Sequence, residues 1–121
     1  PNAIEPYARQ AQRANAQGDR PLAIRLYVAA LLRQPESLLI LNNLAWAYHL
    51  ENQPRARLLA EKAYKLAPEN VALIDTYAAI LLKEGDKEQS IQLLEKAVRL
   101  APEDEVIRKH LDAAKVSSDH S

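Results

Sequence analysis

Apolar residues recur along this chain in steps of three and four, the spacing that lines one face of a helix. One stripe runs through Tyr7, Ala11 and Ala14, a second through Leu41, Leu44, Ala45 and Tyr48, and a third through Ile74, Tyr77, Ala78 and Leu81. Each stripe is followed by a segment with a shared ending: Ala30-Leu-Leu-Arg-Gln-Pro35, Ala63-Tyr-Lys-Leu-Ala-Pro68 and Ala97-Val-Arg-Leu-Ala-Pro102. The prolines stand 33 and then 34 residues apart, and the alanines keep the same two intervals. A period of this length marks a repeat whose unit is a pair of helices.

The punctuation agrees. Both glycines of the chain fall between the halves of a unit, in Gly18-Asp19 and Gly85-Asp86. Glycine takes the left-handed conformation that ends one helix, and the aspartate caps the next. Asp86 with Gln89 three residues on fits a capping box. Pro35, Pro68 and Pro102 stop the second helix of each unit. The pattern predicts helices at about 5–17, 20–33, 38–50, 54–66, 71–84, 87–100 and 104–116. The last carries Ile107, His110, Leu111 and Ala114 on one face and Glu105, Arg108, Asp112 and Lys115 on the others, as a capping helix does. Residues 117–121 have no apolar payload and are expected to be a disordered tail.

The spacing of Ala23, Tyr27, Ala30 and Pro35, and of Gly85-Asp86, Leu94, Ala97 and Pro102, resembles the tetratricopeptide repeat. The resemblance covers residues 4–116 and implies an all-α, right-handed α-solenoid: repeats at 4–37, 38–70 and 71–104, then a cap at 105–116. The second unit departs from the pattern, since its turn, Glu51-Asn52-Gln53-Pro54, has no glycine and the unit is one residue short. Gln10 stands where a leucine is usual, and Ser90 where an alanine is usual. A narrower resemblance lies in Asn42-Asn43-Leu44-Ala45-Trp46, Leu-Ala-Glu-Lys-Ala (59–63) and Asp75-Thr76-Tyr77. These phrases are similar to bacterial repeat proteins encoded near exopolysaccharide export and exosortase systems.

Stacked helix pairs curve so that the first helix of each pair lines an inner wall, and in the family ligands are held at defined positions of that wall. Carried over, those positions are Arg9 and Gln12 in the first unit, and Asn42, Asn43, Trp46 and His49 in the second. The third unit adds Asp75, Ala79 and Lys83, and the cap adds Lys109. The resemblance thus implies a scaffold that binds a peptide or protein segment. The family's clamp for chaperone carboxylate tails is not expected: at its positions stand Ala8, Gln12, Asn43, Ala72 and Thr76, of which only Asn43 matches.

Trp46 shares a face with Asn42 and His49, off the Leu41/Leu44/Ala45/Tyr48 stripe. With small residues such as Ala8 and Ala79 opposite, it either anchors an inserted segment or lies flat and fills the groove itself. Asn42 and Asn43 can hydrogen-bond the backbone of an extended peptide, or one of them can bond the adjacent helix. His49 and Asp75 are candidates for a pair between repeats. His110 reads as a packed residue of the cap.

Composition narrows the remaining choices. Sixteen basic residues balance sixteen acidic ones, which argues against a nucleic-acid partner or a charged membrane surface. No apolar run approaches the length of a membrane span, and the start has no basic-then-apolar run. The chain lacks cysteine, so disulfides and thiolate chemistry are excluded and the compartment stays open between cytoplasm and a bacterial periplasm or cell envelope. Three scattered histidines, at 49, 110 and 120, lack metal-ligand spacing. No phosphate loop or nucleophile–base motif is present. The expectation is therefore a non-enzyme without cofactor or metal, with self-association through a groove or an exposed end as the alternative. Beginning at Pro1 and lacking methionine, the sequence is expected to be a piece of something longer.

Overall fold

The computed structural model describes residues 5–117. The expected first residue of the repeats, residue 4, and the tail from 118 on, with His120, lie outside the described residues. Among the described residues seven helices follow in order: α1 (Tyr7–Ala16), α2 (Arg20–Arg33), α3 (Leu38–Leu50), α4 (Arg55–Leu66), α5 (Val71–Lys83), α6 (Lys87–Leu100) and α7 (Glu105–Val116). Among the described residues there is no strand. The bounds fall within two residues of those predicted.

The ends are set by local chemistry. Asp19, Ser37, Asn70, Asp86 and Asp104 each accept a backbone N–H of the helix they precede, at 3.0–3.3 Å. These bonds satisfy donors that have no partner within the helix. Gln34 and Ala101, each immediately before a proline, leave the helical region, with φ −135° and ψ 73° at Gln34 and φ −137° and ψ 71° at Ala101. A proline ring disfavours helical geometry in the residue preceding it, so α2 and α6 end there.

The three turns within helix pairs are built alike despite their different sequences. Gly18 and Gly85 have φ of 83° and 95°. Asn52 takes their place in the second turn with φ 57°, a region asparagine tolerates better than most residues. The next N–H then reaches back to a helix carbonyl at 2.9 Å in every case: Asp19 to Ala14, Gln53 to Tyr48, and Asp86 to Leu81. The residue missing from the second unit is lost just after this turn. Ala23 and Ser90 follow their glycines by five residues, whereas Ala56 follows Asn52 by four, and all three are buried.

The chain forms two compact units that meet within α4, one reaching Leu59 and the other beginning at Ala60. In the first, α1 packs on α2 and α2 on α3, closing a core of Ala11, Ala14, Ala23, Tyr27, Ala30, Leu41, Leu44 and Ala45. In the second, α5 packs on α6 and α6 on α7, around Ile74, Tyr77, Ala78, Leu81, Leu94, Ala97, Ile107 and Ala114. Alanines 30, 63 and 97 are all buried; a methyl side chain lets helix axes approach closely at those points. Ser90 stands at the position of the usual alanine; it is buried, and its hydroxyl donates to the Ala78 carbonyl at 2.8 Å. At the position of the usual leucine, Gln10 donates to the Glu5 carbonyl at 2.6 Å.

Candidate functional site

Helix α3 is apolar on nearly every side, so its exceptions are informative. Leu41, Leu44, Ala45, Ala47 and Tyr48 are buried, whereas Trp46 keeps 41% of its surface exposed. Its indole is not isolated. The His49 ring lies against it, with centroids 4.8 Å apart and planes tilted by 41°. The three-residue step between them makes this contact a property of the helix itself. The result is a two-ring platform of mixed polarity, open on one side.

The two asparagines beside it have divided roles. Asn43 hydrogen-bonds the phenol of Tyr27 on α2, a side chain that is itself buried. Burial pushes the Tyr27 pKa above its ordinary value, and the Asn43 bond partly opposes that shift. Asn43 is thus engaged within the fold, the second of the two roles open to these amides. Asn42 differs: its Oδ1 is buried and has no hydrogen-bond partner among the described residues. A buried acceptor left unmade costs more than a typical hydrogen bond gains. Arg9 and Gln12, the other expected contact residues of this unit, lie exposed on α1.

In the second unit, Asp75 and Ala79 on α5 are partly exposed, while Lys83 on α5 and Lys109 on α7 are exposed. Asp75 is held by His110, whose Nδ1 lies 2.8 Å from the carboxylate Oδ1. This corrects the reading of His110 as packed in the cap. Ile107 and Ala114 are buried, but His110 is exposed and reaches across from α7 to α5. The 35-residue separation gives no local sign of this pair. A second polar tie holds the far end of α7, where Lys87 Nζ donates to the Ser117 carbonyl at 2.7 Å.

Among the described residues, no three His, Asp or Glu side chains are grouped to hold a metal ion, and no helix is long and apolar enough to cross a membrane.

No family model matches the sequence, and no curated protein does. Solved structures do. An O-GlcNAc transferase mutant from Thermobaculum terrenum superposes with a TM-score of 0.81 at 23% identity, over 89% of this chain and 21% of the transferase chain. The TPR2B domain of yeast Sti1, solved as a complex with pHsp70, superposes with a TM-score of 0.78 at 21% identity, over 90% of this chain and 96% of that one. The fold is the tetratricopeptide-type helical solenoid. The chain spans about a fifth of the transferase's length and nearly all of the Sti1 domain's.

Proposed function

We propose that this chain is a non-catalytic interaction module that binds a peptide or protein segment in the concave groove, on the exposed face of α3 that carries Trp46. The observation that carries the reading is the half-exposed Trp46 ring stacked with His49 on α3, a helix that also leaves Leu39 and Leu50 exposed at 55% and 43%. An aromatic ring left partly in water forgoes burial it could otherwise have had, and such rings are common anchors at interfaces. Asn42 stands one helical turn before the ring, and its amide N–H2 is suited to donate to a main-chain carbonyl of an extended segment. Arg9, Gln12, Asn43 and His49 complete the proposed face in the first unit, with Asn43 acting through its hold on Tyr27. Asp75, Ala79, Lys83 and Lys109 are the proposed contact residues of the second. The pHsp70 complex of the similar Sti1 domain supports a protein partner in kind, without naming one.

We further assign the chain to the bacterial repeat proteins associated with exopolysaccharide export, on the phrases around Trp46, Glu61 and Asp75; the genes adjoining its own test that placement. The binding reading is tested by affinity capture from the source organism's proteome with the wild-type chain and with Trp46→Ala. Because Trp46 is the sole tryptophan, its fluorescence reports directly on a captured ligand. Partners retained equally by both proteins, with unchanged emission, would overturn the assignment.

Self-association is the second reading, favoured by apolar side chains in open solvent: Leu32 is 81% exposed and Leu58 68%. Sedimentation across a concentration series separates it from binding of a foreign segment.

A further inference from the structure

We propose that the cleft between the start of α1 and the end of α2 binds a short peptide segment in which an acidic side chain stands next to an apolar one. The cleft has a volume of about 350 Å3 and is lined by Glu5, Pro6, Tyr7 and Ala8 on one side and Ala30, Arg33 and Gln34 on the other. That size is at the low end for ligand cavities, enough for part of a peptide. None of its residues belongs to α3.

Its walls are largely apolar. Pro6, Tyr7, Ala8 and Ala30 supply them, and Tyr7 remains 37% exposed. Its charges are unequal. Glu5 is committed, because both of its carboxylate oxygens take the guanidinium of Arg13, one of them at 2.6 Å. This pairing also raises the Arg13 pKa. The Glu5 backbone carbonyl is taken by Gln10. Arg33 is in the opposite condition. Its guanidinium carbon lies over the Tyr7 ring, 5.3 Å from the centroid, and it meets no carboxylate among the described residues.

A cation over a ring uses the ring's negative face. It leaves the guanidinium's N–H donors available, and their fork matches a carboxylate. Among the described residues, the cleft therefore offers an aromatic wall, an uncommitted cation and no uncommitted anion. Charge complementarity selects an acidic group, and the apolar lining selects what must lie beside it. Gln34, at the mouth, adds an amide that can both donate to and accept from a peptide backbone.

The test uses two tetrapeptides, Gly-Glu-Leu-Gly and Gly-Gln-Leu-Gly, acetylated and amidated so that only the side chain differs in charge. Each is titrated into the isotope-labelled full chain and followed by amide NMR. The glutamate peptide is expected to shift the amides of Tyr7, Ala8, Arg33 and Gln34, and to bind about tenfold more tightly than its glutamine twin, as charge-assisted bonds are stronger than neutral ones. Arg33→Gln should abolish the difference while leaving helical content unchanged, because Arg33 is exposed. Arg33→Lys, which keeps charge but loses the planar fork, should retain part of it. Equal affinity for the two peptides, or shifts confined to other helices, would overturn the proposal. So would the same shifts on concentrating the protein alone, which would give the cleft to a second copy.

Discussion

Ser90 donates its hydroxyl to the carbonyl oxygen of Ala78 at 2.8 Å, and Ser90 is wholly buried where α6 crosses α5. A hydroxyl at such a contact is tolerable only with an acceptor in reach, and the Ala78 carbonyl supplies one. Ser90→Ala removes donor and need together, so stability measured by urea unfolding should change by no more than about 1 kcal/mol. Ser90→Val adds bulk at a closed contact and should cost about 1–3 kcal/mol. A valine variant as stable as wild type would show that α5 and α6 are looser here than described.

The same steric argument applies to Ala63, which is buried on α4. Ala63→Leu should cost about 1–3 kcal/mol by thermal or urea unfolding. The exposed Leu58 of the same helix serves as control, since Leu58→Ala should shift stability by no more than about 0.5 kcal/mol.

Much of this fold is legible in the sequence because its signals are local. Helix faces follow from three- and four-residue steps, and ends follow from Gly18, Gly85 and the prolines. Asn52 is harder to read, because the left-handed residue of the second turn is known only once the backbone closes on Tyr48 as the glycine turns close on Ala14 and Leu81. The candidate site is less legible still. Asn42 and Asn43 are chemically identical neighbours about 100° apart on a helix, and only the position of Tyr27 decides which one finds a partner within the fold. The His110–Asp75 pair depends on how α7 lies on its neighbours, which no spacing within α7 reveals.

Asn52 yields a prediction that separates backbone strain from side-chain contacts. With φ 57°, an alanine there should cost about 1–2 kcal/mol for its left-handed conformation. Asn52→Gly carries no such steric cost and should stay within about 1 kcal/mol of wild type. Equal losses for alanine and glycine would mean that the asparagine side chain, rather than its backbone, holds the turn.

Tyr27 predicts a pH dependence. Burial raises its pKa above the ordinary phenol value, which is about 10. The unfolded chain therefore gives up the proton at a lower pH than the folded protein does. The resulting stability is fully present below about pH 10 and is lost as pH rises through the folded value. Five tyrosines contribute to any alkaline transition, so the measurement is a difference between wild type and Tyr27→Phe. The phenylalanine variant should be less steeply destabilised above about pH 10. A parallel decline in both proteins would remove Tyr27 from the cause.

Trp46 and Asn42 together test whether the α3 face is there for binding or for folding. Groups retained for a ligand are often neutral or costly for stability, and these two should show that signature. Trp46 is 41% exposed, so Trp46→Ala should lower stability by less than the roughly 3–5 kcal/mol typical of a buried aromatic. Against a captured ligand the same variant should lose about 2 kcal/mol of binding, as truncated interface anchors do. Asn42 sharpens the contrast, because its buried Oδ1 has no partner among the described residues. Replacing an unsatisfied polar group with an apolar one of similar size is neutral or stabilising, so Asn42→Leu should unfold at the same or a higher temperature. If the Asn42 amide donates its N–H to a ligand carbonyl, that variant should nevertheless bind at least about fivefold more weakly. Loss of stability in both variants with unchanged ligand affinity would identify the face as packing.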